Sequence, residues 1–301
     1  MKLITFIDHN GNKKAGWLNG GHVYDMEFVG KGELPDNMLD FIKYHSSCLP
    51  IAQKLASEAE PTYLLSEVTL TAPLPNPPSV RDFMAFELHV LNARKRTGRK
   101  VPEEWYEIPA FYFSNHLVLS GNEEKVERPA GCVALDYELE LACIIGKEGK
   151  NIKAEEAEDY IFGYTIFNDW SARDFQQKEM KIGLGPAKGK DFATSIGPVI
   201  VTKDEMEKYR EGHRLHLTMT AKVNGALLSQ GNARDIYYSF GQMIERASAG
   251  VTLYPGDIIG SGTVGTGCLL ELGQEVHRWL EPGDTVEMEI TGIGKLKNQI
   301  V

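Results

Sequence analysis

Between residues 133 and 146, hydrophobic and polar side chains alternate with the two-residue period of a β-strand. The odd positions are apolar throughout: Val133, Leu135, Tyr137, Leu139, Leu141, Cys143 and Ile145. The even positions include Asp136, Glu138 and Glu140, so the pattern predicts a strand with one acidic face. Two glutamates at alternate positions stand about 7 Å apart on that face and repel each other unless a cation neutralises them. This stretch alone is equally compatible with a solvated face and with a metal site.

The N-terminal part of the chain predicts a small β unit followed by two helices. Short strands are predicted at 3–7, 15–18 and 23–24, because each is apolar and bounded by a turn-forming asparagine and glycine cluster. A first helix would begin after a cap at Asp36 or Asn37 and continue through Ile42. A second helix would run from Ile51 to Ala59.

A cluster of four prolines interrupts the pattern at Pro73, Pro75, Pro77 and Pro78. Such a density of proline stops any regular element. We therefore expect a domain boundary, with a small N-terminal β-rich domain with helices at 1–74 and a larger domain at 75–301. Beyond the boundary, residues 94–100 are basic and residues 103–107 are acidic, which predicts an exposed segment.

A helix is also predicted after the segment Asn168-Asp169-Trp170-Ser171-Ala172-Arg173-Asp174. Ser171 and Asp174 have the spacing of a capping box, so the helix should begin at about Ala172. Its residues Arg173, Gln176, Gln177 and Met180 would share one face. Later in the chain the pattern predicts mainly strands, interrupted by an amphipathic helix at 235–249.

Composition and charge limit the classes of protein to which this chain can belong. The formal net charge of -10 argues against a nucleic-acid partner and against an anionic membrane, since both require a basic surface. The four cysteines show no metal-ligand spacing and are expected to be reduced, as in a cytoplasmic protein. No apolar stretch is long enough to cross a bilayer and the N-terminus lacks the features of a signal peptide, so we expect no membrane association.

Two familiar kinds of site are unlikely on spacing grounds. The segment Gly260-Ser261-Gly262-Thr263-Val264-Gly265 matches the dinucleotide pattern G-x-G-x-x-G, but the residues after it lack a helical period, so we reject a nucleotide site. The eight histidines form no zinc motif. Carboxylates are the plentiful ligands, and an all-oxygen site implies Mg²⁺, Ca²⁺ or Mn²⁺.

At four places the sequence resembles the fumarylacetoacetate hydrolase family. Residues 135–141 resemble its strand with two metal-binding glutamates, and residues 168–174 resemble its N-D-W-S-A-R-D segment. Residues 189–192 resemble its glycine-lysine loop, and residues 254–263 resemble its P-G-D…G-T run. Upstream, Asp82-Phe83 with His89 and Asn92 resembles the fumarylacetoacetase branch. The resemblance covers about residues 78–301 and implies an α+β fold with a mixed β-sandwich roll as the catalytic domain.

The resemblance also implies roles for individual residues. The metal ligands would be Asp82, Glu138, Glu140 and Asp169. His89 would be the general base, with Glu271 orienting its imidazole. Further catalytic groups would be Lys190, Arg173 and Gln176, which supply positive charge and hydrogen-bond donors. Substrate contacts would come from Tyr112, Thr263 and Met180, although Met180 stands where fumarylacetoacetase has a tyrosine.

The implied activity is metal-dependent hydrolysis of a carbon–carbon bond in an acylpyruvate-like or other 2,4-dioxo acid, by a homodimer with a small-molecule oxo-acid substrate. Two alternatives remain open at this point. Other branches of the family use the same metal-stabilised enolate for decarboxylation, isomerisation or dehydration. The chain could also be a metal-binding protein without catalysis, although the presence of both His89 and Glu271 argues against this.

Overall fold

The computed structural model describes residues 1–301, and its fold is mixed α+β, as the sequence predicts. The strands are Lys2–Ile7 (β1), Lys13–Asn19 (β2), His22–Asp25 (β3), Tyr63–Leu64 (β4), Thr69–Leu70 (β5), Val80–Phe83 (β6), Phe111–Ser114 (β7), Leu119–Ser120 (β8), Lys125–Val126 (β9), Leu135–Asp136 (β10), Leu139–Ile145 (β11), Gly149–Lys150 (β12), Ile161–Asn168 (β13), Ser171–Ala172 (β14), Thr194–Thr202 (β15), Arg210–Glu211 (β16), Arg214–Leu215 (β17), Thr218–Val223 (β18), Ala226–Asn232 (β19), Thr252–Leu253 (β20), Ile258–Gly260 (β21), Thr285–Ile290 (β22) and Gly294–Ile300 (β23).

The helices are short and lie mainly at the ends of the strands. They are Met26–Gly30 (α1), Met38–Lys43 (α2), His45–Glu58 (α3), Glu87–Arg96 (α4), Arg173–Ile182 (α5), Lys203–Met206 (α6), Phe240–Ser248 (α7) and Leu269–Leu272 (α8). None of them combines the length and the apolar composition that crossing a bilayer requires. The helix predicted at 51–59 is part of α3, which begins earlier, and the one predicted at 235–249 is α7, which begins later.

Two sheets form the body of the molecule. The larger has 12 strands, and its central order is β15-β13-β11-β21-β6-β7. The smaller has five strands in the order β19-β18-β22-β23-β9. Apolar side chains of both sheets and of α7 meet in a core cluster of 50 buried residues. Because β6, β11, β13 and β21 lie within the same sheet, residues that are far apart in sequence come together along it.

The predicted N-terminal strands are present, and they extend the larger sheet. β1 pairs antiparallel with β15, with Leu3 opposite Ile200. A second core cluster of 21 buried residues combines side chains from the segment 1–74 with Ile144, Phe167 and Ile258. The N-terminal segment therefore shares a sheet and a core with the rest of the chain, and the proposed division at residues 74 and 75 stays a prediction.

The prediction of a continuous amphipathic strand at 133–146 is wrong. The strand is broken between β10 and β11, so that Tyr137 and Glu138 lie in an irregular link. Every residue of β11 is buried, on both faces of the sheet, and Val133 is exposed. The alternation therefore does not separate core from solvent. Instead, the acidic positions point into a buried polar site.

The capping box expected at Ser171 is also absent, although the helix begins within one residue of the predicted start. The Ala172 cap position of α5 has no side-chain hydrogen bond. Ser171 donates instead to the carbonyl of Asp169, and Asp174 accepts hydrogen bonds from Cys132 Sγ and from the backbone N–H of Val133. These side chains are used for tertiary contacts, which a local sequence pattern does not encode.

Candidate metal centre and active site

Four carboxylates converge at the centre of the larger sheet. Asp82 lies in β6, Glu140 in β11, Asp169 directly after β13, and Glu138 in the link before β11. Their nearest oxygens all lie within 4.8 Å of one another, and all four side chains are buried. The sheet order explains the convergence, because β6, β21, β11 and β13 are consecutive neighbours. The structure thus brings together the four residues predicted as metal ligands.

Burial and mutual repulsion shift the pKa values of the carboxylates in this cluster. Burial, together with the charge of Asp82, raises the pKa of Glu140 well above its ordinary value. Burial and the charge of Asp169 raise the pKa of Asp82 in the same way. The carboxylates therefore resist ionising together unless positive charge lies among them.

Two buried cations compensate part of this charge. Lys190 Nζ donates to Glu138 Oε2 at 2.5 Å, to Asp169 and to Ser171 Oγ at 2.6 Å. Arg173 lies 2.7 Å from Glu138 and 2.8 Å from Asp136. Burial alone would raise the pKa of Glu138, but Lys190 and Arg173 outweigh it, so that the pKa falls below its ordinary value.

The cluster has the features of a site for a divalent cation. Glu140 Oε2 and Asp169 Oδ1 are buried and accept no hydrogen bond, which is costly for carboxylate oxygens. Gly260 lies on the strand between Asp82 and Glu140, where an added Cβ would collide with Asp82 Oδ1 and lie 3.4 Å from Glu140 Oε2. The space beside the two carboxylates is therefore kept free. Hard cations such as Mg²⁺, Mn²⁺ and Ca²⁺ are bound by such oxygen sets.

Beside the carboxylates, His89 and Glu271 form a buried pair. Glu271 Oε1 lies 2.7 Å from His89 Nδ1, and its other oxygen accepts from Asn92 Nδ2 at 2.9 Å and from the N–H of Thr266 at 2.8 Å. Cys268 Sγ is a further donor at 3.5 Å. Burial would raise the pKa of Glu271, but the bonds from His89 and Asn92 hold it below its ordinary value. An ionised Glu271 fixes the imidazole by Nδ1 and leaves Nε2 as the free ring nitrogen.

Three of the four carboxylates, those of Asp82, Glu138 and Glu140, line one cavity of about 300 Å³ together with His89. Ten of the predicted site residues line it: Asp82, His89, Tyr112, Glu138, Glu140, Arg173, Gln176, Met180, Lys190 and Thr263. Asp169 and Glu271 lie behind this surface, where Asp169 accepts a hydrogen bond from the Tyr112 hydroxyl and Glu271 holds His89. Gln177, which was expected on the same helical face, does not line the cavity. One arrangement thus places a cluster that could hold a metal ion beside a buried histidine.

Three supporting residues were not predicted as site residues. Asp136 accepts from Arg173 Nε at 2.9 Å and from the N–H groups of Leu269 and Leu270, and so links α5 to α8. Asn92 holds Glu271, and Ser171 accepts from Lys190. The acidic run at 136–140 gave a signal for Asp136, but its partners lie in distant parts of the sequence. Nothing in the local sequence indicates a role for Ser171 at Lys190.

Comparisons with known proteins agree with this geometry. A family model described as fumarylacetoacetate (FAA) hydrolase C-terminal matches residues 79–301. The oxaloacetate tautomerase YisK of Bacillus subtilis is 32% identical over 279 residues, which span 89% of this chain and 87% of the relative.

Solved structures with similar folds cover the whole chain. Maleylpyruvate hydrolase from Sphingobium sp. SYK-6, in complex with manganese(II) and pyruvate, superposes with a TM-score of 0.77 at 25% identity and covers 100% of this chain and 99% of that one. The fumarylacetoacetate hydrolase of Exiguobacterium antarcticum gives a TM-score of 0.75 at 27% identity, with the same coverage. Both similarities extend through the N-terminal segment as well as the region with the carboxylates.

Proposed function

The chain belongs to the fumarylacetoacetate hydrolase family, and on this basis we propose that it is a divalent-metal-dependent hydrolase of an acylpyruvate-like or other 2,4-dioxo acid. The observation that carries the proposal is that His89, which is paired with Glu271, lines the same cavity as Asp82, Glu138 and Glu140 of the carboxylate cluster. Hydrolysis of a carbon–carbon bond requires both an activated water and a stabilised enolate leaving group. His89 with Glu271 could activate the water, and the ion held by the carboxylates could stabilise the enolate.

The chain's own residues account for the proton movements. Nε2 of His89 takes a proton from a water molecule, and Glu271 stabilises the imidazolium that forms. The hydroxide adds to the carbonyl carbon distal to the carboxylate, and the adjacent carbon–carbon bond breaks. The products are a carboxylic acid and the enolate of pyruvate, which takes up a proton. General base catalysis of this kind contributes about 10²- to 10⁴-fold in rate.

Asp82, Glu138, Glu140 and Asp169 would hold the divalent ion. When bound, the ion would polarise the substrate oxygens and offset the negative charge of the leaving group. Arg173 and Gln176 line the cavity, where they can donate to the substrate carboxylate. A structure of a relative with manganese(II) and pyruvate supports this assignment of the head-group site.

A second candidate is tautomerisation of a 2-oxo acid. The observation that favours it is the 32% identity to a protein named oxaloacetate tautomerase. The same base could move a proton between carbon and oxygen without adding water, and an enolate formed in this way could also lead to decarboxylation, isomerisation or dehydration. The two candidates differ in the fate of the carbon skeleton.

The product separates these candidates. The metal-loaded protein is incubated with acylpyruvates and, separately, with oxaloacetate, and the products are identified by NMR. Two carboxylic fragments from an acylpyruvate support hydrolysis. Faster interconversion of keto and enol forms with an intact skeleton supports the tautomerase instead. If neither reaction is faster than with the metal ion alone, both proposals fail and a non-catalytic metal-binding protein remains.

A further inference from the structure

The residues that line the cavity fall into two chemical groups. The charged group, called the floor here, consists of Asp82, Glu138, Glu140, Arg173 and Lys190, and the apolar group is called the wall. The wall is apolar and is built from separate segments of the chain; its side chains are Phe83, Met84, Ala93, Ala110, Phe111, Met180, Pro186 and Leu270. The ring centroids of Phe83 and Phe111 lie 4.9 Å apart, so the two rings pack against each other on one side of this wall. A substrate whose head group lies on the floor would therefore place its far end against apolar surface.

Neither Lys190 nor Arg173, the lysine and the arginine of the cavity lining, is free for a second carboxylate. All three ammonium hydrogens of Lys190 have partners, in Glu138, Asp169 and Ser171. The guanidinium of Arg173 is shared between Asp136, Glu138 and Gln176. Both cations are therefore already bound to groups of the floor.

Arg96 and Lys188, two basic residues outside the cavity lining, are also engaged in other contacts. Arg96 of α4 donates to the carbonyls of Glu271 and Leu272 and pairs with Glu275 at 2.6 Å. Lys188 pairs with Asp191. Apart from His89, α4 contributes only Ala93 to the cavity lining.

The charges of the floor also argue against a second carboxylate on the substrate. Asp136 and the four clustered carboxylates outnumber the two side-chain cations that face them. The carboxylate of the substrate head adds one more negative charge. A second carboxylate placed against the apolar wall would lose its hydration without gaining a partner.

We infer that the cavity selects a 2-oxo or 2,4-dioxo acid with an uncharged, apolar far end, and that Met180 on α5 is a specificity-determining residue. This inference rests on the proposed function, because the metal-bound head group is what directs the far end to the wall. It departs from the dicarboxylate substrates in the names of the similar proteins, oxaloacetate and maleylpyruvate.

The test uses two unreactive ligands with the same oxamate head. N-butyloxamate ends in a methyl group, and N-(3-carboxypropyl)oxamate has a carboxylate in its place. Binding of both to the Mg²⁺-loaded protein is measured by titration calorimetry. We expect the butyl ligand to bind at least about 10-fold more tightly, as expected when a charged group must be desolvated without a partner.

Substitutions on α5 provide a matched pair. Met180 lines the cavity with its side chain 46% exposed, and Ile182, two positions along, is 81% exposed and does not line it. Met180→Arg should shift the ratio of the two affinities about 10-fold or more toward the carboxylate-ended ligand. Ile182→Arg adds the same charge to the same helix and should leave the ratio unchanged. An equal shift in both variants would mean general electrostatic attraction and would overturn the role of Met180.

The outcomes separate this inference from the proposed function. Equal or tighter binding of the carboxylate-ended ligand to the wild-type protein overturns the inference alone. If neither ligand binds, the head-group site is wrong, and the proposed function and the inference fail together. A clear preference for the butyl ligand in a protein that releases no cleavage products would support the inference and refute the hydrolase.

Discussion

His89 Nδ1 and Glu271 Oε1 lie 2.7 Å apart, although 182 residues separate them in the chain. α4 and α8 bring them together, and Arg96 reinforces the contact by donating to the Glu271 carbonyl. Because Glu271 accepts hydrogen bonds on both carboxylate oxygens, the imidazole of His89 is held in one orientation before any substrate binds. Preorganisation of this kind is what a general base requires.

Replacing Glu271 by Gln should therefore lower kcat/KM by about 10²-fold or more, because the amide no longer stabilises the imidazolium. The stabilisation by added Mg²⁺ should not change, since Glu271 is outside the carboxylate cluster. Glu275→Gln is the matched control, because Glu275 is exposed and its carboxylate accepts from the outer end of Arg96. Steady-state kinetics and thermal unfolding with and without Mg²⁺ make the comparison. Near-normal activity in Glu271→Gln would contradict the mechanism.

A divalent ion should stabilise the protein by compensating the buried carboxylates. At 100 times its Kd a ligand contributes about 2.7 kcal/mol, which for a chain of this size raises Tm by about 4 °C. Glu140→Gln should abolish this increase. In the metal-free state the same variant should be more stable than the wild type, because a carboxylate with a strongly raised pKa has been removed. Calorimetric scans of the chelated and reloaded proteins measure both effects.

The exposed Glu289, which lies on β22, gives the control for that experiment. Glu289→Gln should leave the Mg²⁺-dependent rise in Tm unchanged. A rise that survives in Glu140→Gln would remove this residue from the metal site.

Lys190→Met should destabilise the metal-free protein by about 3–5 kcal/mol, because Glu138 and Asp169 would lose a buried counter-charge. Added Mg²⁺ should restore much of this loss by supplying positive charge to the same carboxylates. Lys188→Met removes an exposed lysine two positions earlier and should change stability by less than about 1 kcal/mol. The free energies of unfolding come from urea titrations with chelator and with Mg²⁺. Equal losses in the two variants would show that Lys190 does not neutralise the cluster.

Away from the site, Asp284 gives a pH-dependent contribution to stability. It accepts two hydrogen bonds from Arg278, one from Asn224 and one from the N–H of Glu281. Burial opposes ionisation, but the bonds from Arg278 and Asn224 lower the pKa of Asp284 from 3.8 to about 2. Since the folded pKa is below the unfolded one, the stabilisation is present above pH 4 and is lost as pH falls through 2.

Asp284→Asn should therefore lower the free energy of unfolding by about 1–2 kcal/mol at pH 7. The difference from the wild type should shrink between pH 4 and pH 2, where the wild-type carboxyl becomes protonated. Urea titrations over this pH range provide the measurement. A difference that is the same at pH 2 and pH 7 would assign the effect to the shape of the side chain and not to its charge.

Local sequence predicted several elements because their causes are local. The turns around Gly11 and Gly20 set the first three strands. The Asn37 side chain caps α2, as expected. At Ser171 the local prediction of a capping box was wrong, because the hydroxyl donates to the carbonyl of Asp169 and accepts from Lys190 Nζ. The alternation at 133–146 was misleading for a related reason, since both faces of β11 are buried and its polar positions point into a site.

By itself, the sequence determined the α+β class, the family, and which acidic and basic side chains are candidates for a metal centre, because the types of residue and their order carry that information. Only the tertiary structure decided that Asp82, Glu138, Glu140 and Asp169 meet within 4.8 Å. It also decided that Arg173 and Lys190 are already paired, and that the wall above them is apolar. The physical reason is that the charge and solvation of a buried group depend on neighbours supplied by distant strands, and sheet pairing fixes those neighbours.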